Sequence, residues 1–144
     1  AELPKLKVIY CTSIDGLEEK HNLIRGAKDG FNKTVQTIKD IQKVKDKYFD
    51  RLFLLTSTIF SLTSQDEYIE TIEYINKNLK YVSPRSCFIR GDVRGNEEKN
   101  VNTNLYQDYI DITSKHMDPT VKAFSGMAVK ETIESLTPDF LKTH

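Results

Sequence analysis

The most apolar segment of this 144-residue chain runs Tyr48-Phe49-Asp50-Arg51-Leu52-Phe53-Leu54-Leu55-Thr56-Ser57-Thr58-Ile59-Phe60-Ser61-Leu62. Placed on a helix, its large apolar side chains lie most of the way round the circumference. A helix that is apolar on all sides is typical of the centre of a domain. We therefore predict that this segment is a buried central helix.

The residues before this segment show the spacing of an amphipathic helix. Apolar residues recur at intervals of three, four and seven: Leu17, Ile24, Phe31, Val35, Ile38, Ile41 and Val44. Asp15 is a suitable N-cap for this helix. Glycine inside a helix costs about 1 kcal/mol relative to alanine, so Gly26 and Gly30 predict a break near Gly30.

The residues after it predict three more helices. Ser64 and Glu67 have the spacing of a capping box and open a helix that reaches Leu79. Asn102 or Asn104 can cap the next helix. Asp118-Pro119 opens a last helix, which ends at Pro138.

The N-terminal residues resemble a strand only briefly, at Val8-Ile9-Tyr10. The next strand-like run is Ser86 to Val93, and an isolated pair of strands is only marginally stable in water. We favour an extended arm that lies on the helices, and a strand remains the alternative. The predicted fold is thus an all-α single domain, a bundle of about five helices with an arm at 1–14, a first helical half at 15–82, a loop at 83–103 and a second helical half at 104–137.

The two cysteines, Cys11 and Cys87, allow one intramolecular disulfide. We favour this bridge because both residues flank loops and neither belongs to a periodic apolar helix. Two free thiols in a reducing cytosol are the alternative. Asn32-Lys33-Thr34 is an acceptor sequence for N-glycosylation. Together these features favour a secreted, monomeric protein.

Composition excludes several classes of function. Basic and acidic residues balance at 21 each, so we expect no nucleic-acid partner. No apolar run is long enough to cross a membrane. Glu18-x-x-His21 has the spacing of one half of a di-iron site, but the chain has no second copy, so we interpret it as a solvated helix start and expect no metal. Because the chain has only three histidines, and no His or Asn can be placed beside Cys87, we predict neither an enzyme nor a cofactor.

The tripeptide Arg90-Gly91-Asp92 stands out in the predicted loop. Long loops in compact domains are usually functional or disordered. The segment Cys87 to Gly95 resembles the integrin-binding loops of disintegrin-like secreted proteins, although the resemblance includes no other part of the chain. It implies an extracellular protein partner, such as an integrin-like receptor, that recognises Arg90 and Asp92.

The aromatic residues suggest an alternative function. Helical bundles with large apolar side chains can enclose a cavity for a small hydrophobic ligand such as a lipid. Five residues are candidates for the lining of that cavity: Phe31, Phe53, Phe60, Tyr109 and Phe124. A filled core is the more common explanation of the same residues, and packing density cannot be read from a sequence.

Overall fold

The computed structural model describes residues 7–48, 51–89, 96–116, 118, 119 and 121. Within these residues there are three strands and four α-helices, β1 (Val8–Ser13), α1 (Glu18–Arg25), α2 (Gly30–Lys47), β2 (Leu52–Phe60), α3 (Tyr68–Asn78), β3 (Val82–Phe88) and α4 (Thr103–His116). Two short 3₁₀ turns lie at Gln65–Glu67 and Asn96–Lys99. The domain is mixed α/β, and the predicted all-α bundle is wrong.

The three strands form one parallel sheet in the order β1-β2-β3. Val8 of β1 is opposite Leu52 of β2, and Leu54 of β2 is opposite Val82 of β3. Helices α1 and α2 connect the first two strands, and α3 connects the second and third. Because the strands are parallel, their carboxyl ends meet at one edge of the sheet, which is where open α/β sheets place their ligands.

The segment that we predicted as the central helix is the central strand. β2 contains Thr56, Thr58 and Ile59, whose branched Cβ atoms are restricted in a helix and pack well on a pleated surface. The strand is buried on both faces, as strands of parallel sheets are, so it reads as a continuous apolar run. Such a run cannot be distinguished from a buried helix by periodicity.

The outer strands have weaker sequence signals. The N-terminal arm is strand β1, so the alternative kept for Val8-Ile9-Tyr10 is the observed structure. β3 includes Pro84, which we assigned to the loop at 83–103. Proline is tolerated in edge strands, and β3 lies at an edge of the described sheet.

The main core lies between one face of the sheet and the helices. It includes Leu54 and Phe60 of β2 and buried residues of α2, α3 and α4: Phe31, Val35, Ile38, Tyr68, Ile72, Ile75 and Tyr109. A second apolar cluster contains Phe53, Leu55 and Val121. Strand residues alternate between faces, so Leu54 and Leu55 contribute to different clusters.

Several helix predictions are confirmed in detail. The break near Gly30 separates α1 from α2, and Gly26 ends α1 in the left-handed conformation with φ of 62°. Asn102 caps α4, because its Oδ1 accepts the N–H of Asn104 at 3.0 Å.

The capping box before α3 is not formed, since the Ser64 hydroxyl donates to the carbonyl of Ile59 instead. The last predicted helix lies mostly outside the described residues.

The predicted disulfide is absent, and both cysteines are free. Cys11 lies on β1 and Cys87 on β3, with β2 between them. Two strand spacings place the Cα atoms about 9.5 Å or more apart, and cysteines with Cα atoms beyond about 7 Å cannot be bridged without backbone movement. Each thiol instead approaches the Ser57 hydroxyl, at 3.8 Å from Cys11 and 3.4 Å from Cys87.

Candidate functional site

A polar cavity of about 330 Å³ lies beside the carboxyl end of β1. The end of β1, helix α1 and the beginning of α2 supply its lining residues, which are Thr12, Ser13, His21, Arg25, Gly30 and Thr34. The side chains among these described lining residues are all polar, and Arg25 is the only one of them that carries a full charge at neutral pH. The cavity therefore offers hydrogen-bonding groups and one cation to a small molecule.

His21 is the most buried titratable side chain of the cavity, with 2% of its surface exposed. Its Nδ1 accepts a hydrogen bond of 3.1 Å from the backbone N–H of Asp15. Nδ1 must therefore be unprotonated, and the neutral ring carries its proton on Nε2. Burial lowers the pKa of His21 below its usual 6.5, and this effect outweighs the opposing charge of Asp15. The cavity thus contains an uncharged imidazole whose Nε2 is a donor.

The interpretation of His21 as part of a solvated helix start is wrong. His21 packs edge-on against Phe31, with ring centroids 5.9 Å apart, so the first turn of α2 lies against it. Its Nε2 lies at the end of the ring nearest Gly30.

Arg25 is held in place by a buried carboxylate. Its Nε donates to Oδ2 of Asp15, whose side chain is fully buried, while the Arg25 side chain is 39% exposed. The other oxygen of Asp15 accepts the backbone N–H of Ile59 at 3.0 Å. Asp15 thus links the loop after β1 to strand β2 and orients the guanidinium through one nitrogen. The two terminal nitrogens of Arg25 have no hydrogen bond to any described residue.

The side chain of Asn22 stabilises the turn between α1 and α2, which positions Gly30 at the cavity. Its Oδ1 accepts the N–H of Phe31 at 2.9 Å, and its Nδ2 donates to the carbonyl of Lys28 at 3.3 Å. A Cβ atom at Gly30 would lie 3.2 Å from the Cβ of Ala27 and 3.5 Å from Nε2 of His21. The absence of a side chain at Gly30 therefore leaves space beside the imidazole.

Polar contacts also connect the loops at the carboxyl edge. Glu67 accepts the N–H of Leu17 at 3.2 Å, and Lys20 forms an ion pair with Asp66 at 2.8 Å. Further along the edge, Glu98 accepts the backbone N–H of Thr63 at 3.0 Å and the Thr63 hydroxyl. These hydrogen bonds from Thr63 lower the pKa of Glu98. Contacts with Asp66 and Glu67 thus hold the segment after β1, and contacts with Glu98 hold the loop after β2.

Behind this edge lie four buried hydroxyl groups without a hydrogen-bond partner in the described part of the chain. They belong to Thr56, Thr58, Tyr68 and Tyr109. Burial raises the pKa of Tyr109 far above its usual range, and the charge of Asp15 adds to this effect. The phenol of Tyr109 is therefore uncharged at any physiological pH.

The structure disperses the aromatic residues proposed to line an apolar cavity. Phe31, Phe60 and Tyr109 belong to the main core cluster, where Phe60 and Tyr109 have ring centroids 5.4 Å apart. Phe53 belongs to the second cluster, and Phe124 lies outside the described residues. None of the four described residues of this set lines the polar cavity.

Two further predictions concern exposed positions. Asn32 of the glycosylation sequence lies on α2, is exposed and donates to Glu18 at 2.7 Å. Arg90, Gly91 and Asp92 lie outside the described residues. The recognition loop therefore stays a prediction.

Comparisons with family models, curated proteins and solved structures find no match for this chain. In the part of the chain that the structure describes, no group of three or more histidine, cysteine or acidic residues is arranged to hold a metal ion. Over the same residues, no helix has the length and apolar character needed to cross a membrane.

Sequence reasoning missed this site, although one signal was available. Asp15 follows an apolar run, and His21 and Arg25 are four residues apart, which places them on one face of a helix. That signal becomes specific only once the run is known to be a strand of a parallel sheet, because its carboxyl end is then a preferred ligand position.

Proposed function

We propose that this domain binds a small polar molecule in the cavity formed by β1, α1 and α2. The observation that carries the proposal is the environment of His21. Its side chain lies at the cavity wall and is almost completely buried, and its Nε2 forms no hydrogen bond to any described residue. Nε2 is not among the fully buried polar atoms that lack a partner, so it is reached from the cavity, where a ligand or ordered water can supply the hydrogen-bond partner.

The neighbouring groups support the same proposal. Arg25 is oriented by Asp15 before any ligand arrives, so less conformational entropy is lost on binding. The hydroxyls of Thr12, Ser13 and Thr34 can each donate and accept. A few convergent polar groups in a concave site are typical of small-molecule binding.

The two functions predicted from the sequence have less support. A carrier of apolar ligands needs an apolar cavity, whereas this cavity is polar and Phe31, Phe60 and Tyr109 pack in a core cluster. Recognition of an extracellular receptor through Arg90-Gly91-Asp92 remains a separate proposal. The free cysteines remove the disulfide that was the main argument for a secreted protein. A non-enzymatic binding role is compatible with the proposed site.

The proposal can be tested with a thermal-shift screen of small polar metabolites on the whole chain. A ligand that binds only the folded state raises the midpoint of unfolding. Thr34→Leu places a larger apolar side chain at the cavity wall, and Thr37→Leu makes the same change one turn later on α2, at an exposed position outside the cavity. Thr37→Leu is therefore the matched control.

We expect at least one compound to raise the midpoint for the wild type and Thr37→Leu but not for Thr34→Leu. The resonances of the lining residues should shift in the same titration. A screen without any stabilising compound, or a compound that stabilises Thr34→Leu equally, would show that the cavity is not the binding site.

A further inference from the structure

We infer that the ligand of this cavity carries a compact oxyanion, a phosphate or a carboxylate, that binds between Arg25 and His21. This inference rests on the proposed function and specifies the chemical class of the ligand. Three independent features of the cavity wall support it: its charge, its donors and the helix that begins there.

The charge of the wall favours an anion. Among the described lining residues, Arg25 is the only one with a full charge and none is a carboxylate. Asp15 lies behind the guanidinium and offsets part of its charge, but it contacts Nε and leaves both terminal nitrogens available. Two parallel N–H donors on a planar group match the spacing of two oxygens in a carboxylate or phosphate.

The hydrogen-bond donors of the cavity wall favour a ligand group that accepts hydrogen bonds. The contact between Asp15 N–H and Nδ1 fixes the tautomer of His21, so its Nε2 carries a hydrogen. An oxyanion offers only acceptors, so its oxygens can pair both with this hydrogen and with the Arg25 nitrogens. A ligand group that can only donate, such as an ammonium, would leave both side chains unsatisfied.

Helix α2 adds the third feature. It is 18 residues long and begins at Gly30, which lines the cavity. The helix dipole places partial positive charge at this end, although the N–H of Phe31 already donates to Oδ1 of Asn22. Gly30 has no side chain to cover this end, so an anion beside His21 can approach the backbone closely.

The test titrates the whole chain with inorganic phosphate, with acetate and with glycerol as a neutral polar probe, at constant ionic strength with chloride as the balancing anion. Binding is followed by the amide resonances of the lining residues and the side-chain resonances of Arg25. The two anions distinguish a phosphate ligand from a carboxylate ligand, because the one with the higher affinity identifies the class.

We expect one of the two anions to shift the resonances of Arg25, His21 and Gly30. Loss of a charge-assisted hydrogen bond should weaken binding by about 10- to 100-fold in Arg25→Gln. Lys28→Gln removes the same charge from an exposed residue outside the cavity, so it should bind like the wild type. Should Arg25→Gln fail to fold, Gly30→Ala retains every charge, and its methyl group should weaken binding of the anion beside Nε2 of His21.

Equal weakening in Lys28→Gln and Arg25→Gln would overturn the oxyanion assignment, because it would indicate screening by general surface charge. Resonance shifts with glycerol but with neither anion would also overturn it, while the proposed polar-ligand function would stand. If no polar compound, charged or neutral, perturbs the lining residues, both proposals fail.

Discussion

The imidazole of His21 accepts a hydrogen bond from the backbone N–H of Asp15, so the ring is held in its neutral form at the end of strand β1. Because the hydrogen bond requires a neutral ring, the protonation state of His21 is linked to the backbone conformation after β1. A protonated His21 could not accept the bond, and the buried ring would then face an N–H group with another N–H.

Stability should therefore depend on pH through His21. Burial lowers the pKa of His21 in the folded state below 6.5, so the unfolded chain binds this proton more tightly. The contribution of the neutral ring is complete above about pH 6.5 and falls as the pH drops from there towards the lower folded pKa, by at most about 1.4 kcal/mol per pH unit.

Urea titrations between pH 7.5 and 5 measure this slope. His21→Asn keeps an acceptor for Asp15 N–H and does not titrate, so its slope in this range should be smaller. Identical slopes for His21→Asn and the wild type would contradict the assignment.

Asp15 should be important for stability although it lies outside any helix or strand. Asp15→Ala leaves the N–H of Ile59 without its acceptor and frees Arg25, which should cost about 2 kcal/mol. Asp66→Ala removes an exposed ion pair with Lys20 and should cost less than about 1 kcal/mol. Denaturant unfolding followed by circular dichroism compares the two variants, and equal losses would show that the buried contacts of Asp15 add nothing.

The buried hydroxyls behind the site predict substitutions with an unusual sign. Tyr109→Phe and Thr58→Val remove polar atoms that have no partner in the described residues, so each should leave stability unchanged or raise it by about 1 kcal/mol. Tyr48→Phe, at an exposed position, is the control and should be neutral. Thermal unfolding measures all three variants. A clear loss in Tyr109→Phe would mean that its hydroxyl has a partner, such as an internal water.

Both cysteines should react as free thiols in the native protein. Cys11 is exposed and should be alkylated faster than Cys87, which is half-buried. Mass spectrometry should show two added groups without prior reduction, and a reducing agent should not change the unfolding temperature. A native mass two units below that of the reduced chain would contradict the free thiols.

The tripeptide Arg90-Gly91-Asp92 gives a prediction that does not depend on the described residues. If it binds an integrin-like receptor, Asp92→Glu should abolish adhesion of receptor-bearing cells, because one added methylene moves the carboxylate. Folding should change by no more than about 0.5 kcal/mol, as for other surface substitutions. Equal adhesion by the variant and the wild type would make the tripeptide coincidental.

The helices were predictable because each carries its own periodic signal. α2 has buried residues at Phe31, Val35 and Ile38, which lie on one face, and the glycines before it mark the break. These features depend on residues close together in the sequence, and the structure contains both the buried face and the break. The strands have no comparable signal, because Leu54 and Leu55 are both buried, on opposite faces, and alternation is lost.

The cavity was not predictable for a related reason. Thr12, His21 and Gly30 meet only because the end of β1 and the helix pair come together in space. His21 resembled a solvated residue in the sequence, since Glu18, Glu19 and Lys20 precede it. Its burial depends on the fold of the following turn, which covers it with Phe31.

The parallel arrangement of the strands has a consequence for how the chain reaches its structure. Each pairing in the described sheet joins segments separated by whole helices, and β2 takes part in both pairings. None of the three described strands pairs with another through a hairpin, so long loops must close before these pairings form. Proteins with such distant contacts fold slowly relative to helical bundles of the same size. A newly synthesised chain would therefore expose the apolar surface of Leu52–Phe60 until both partner strands arrive, and such surface is prone to aggregation in the meantime.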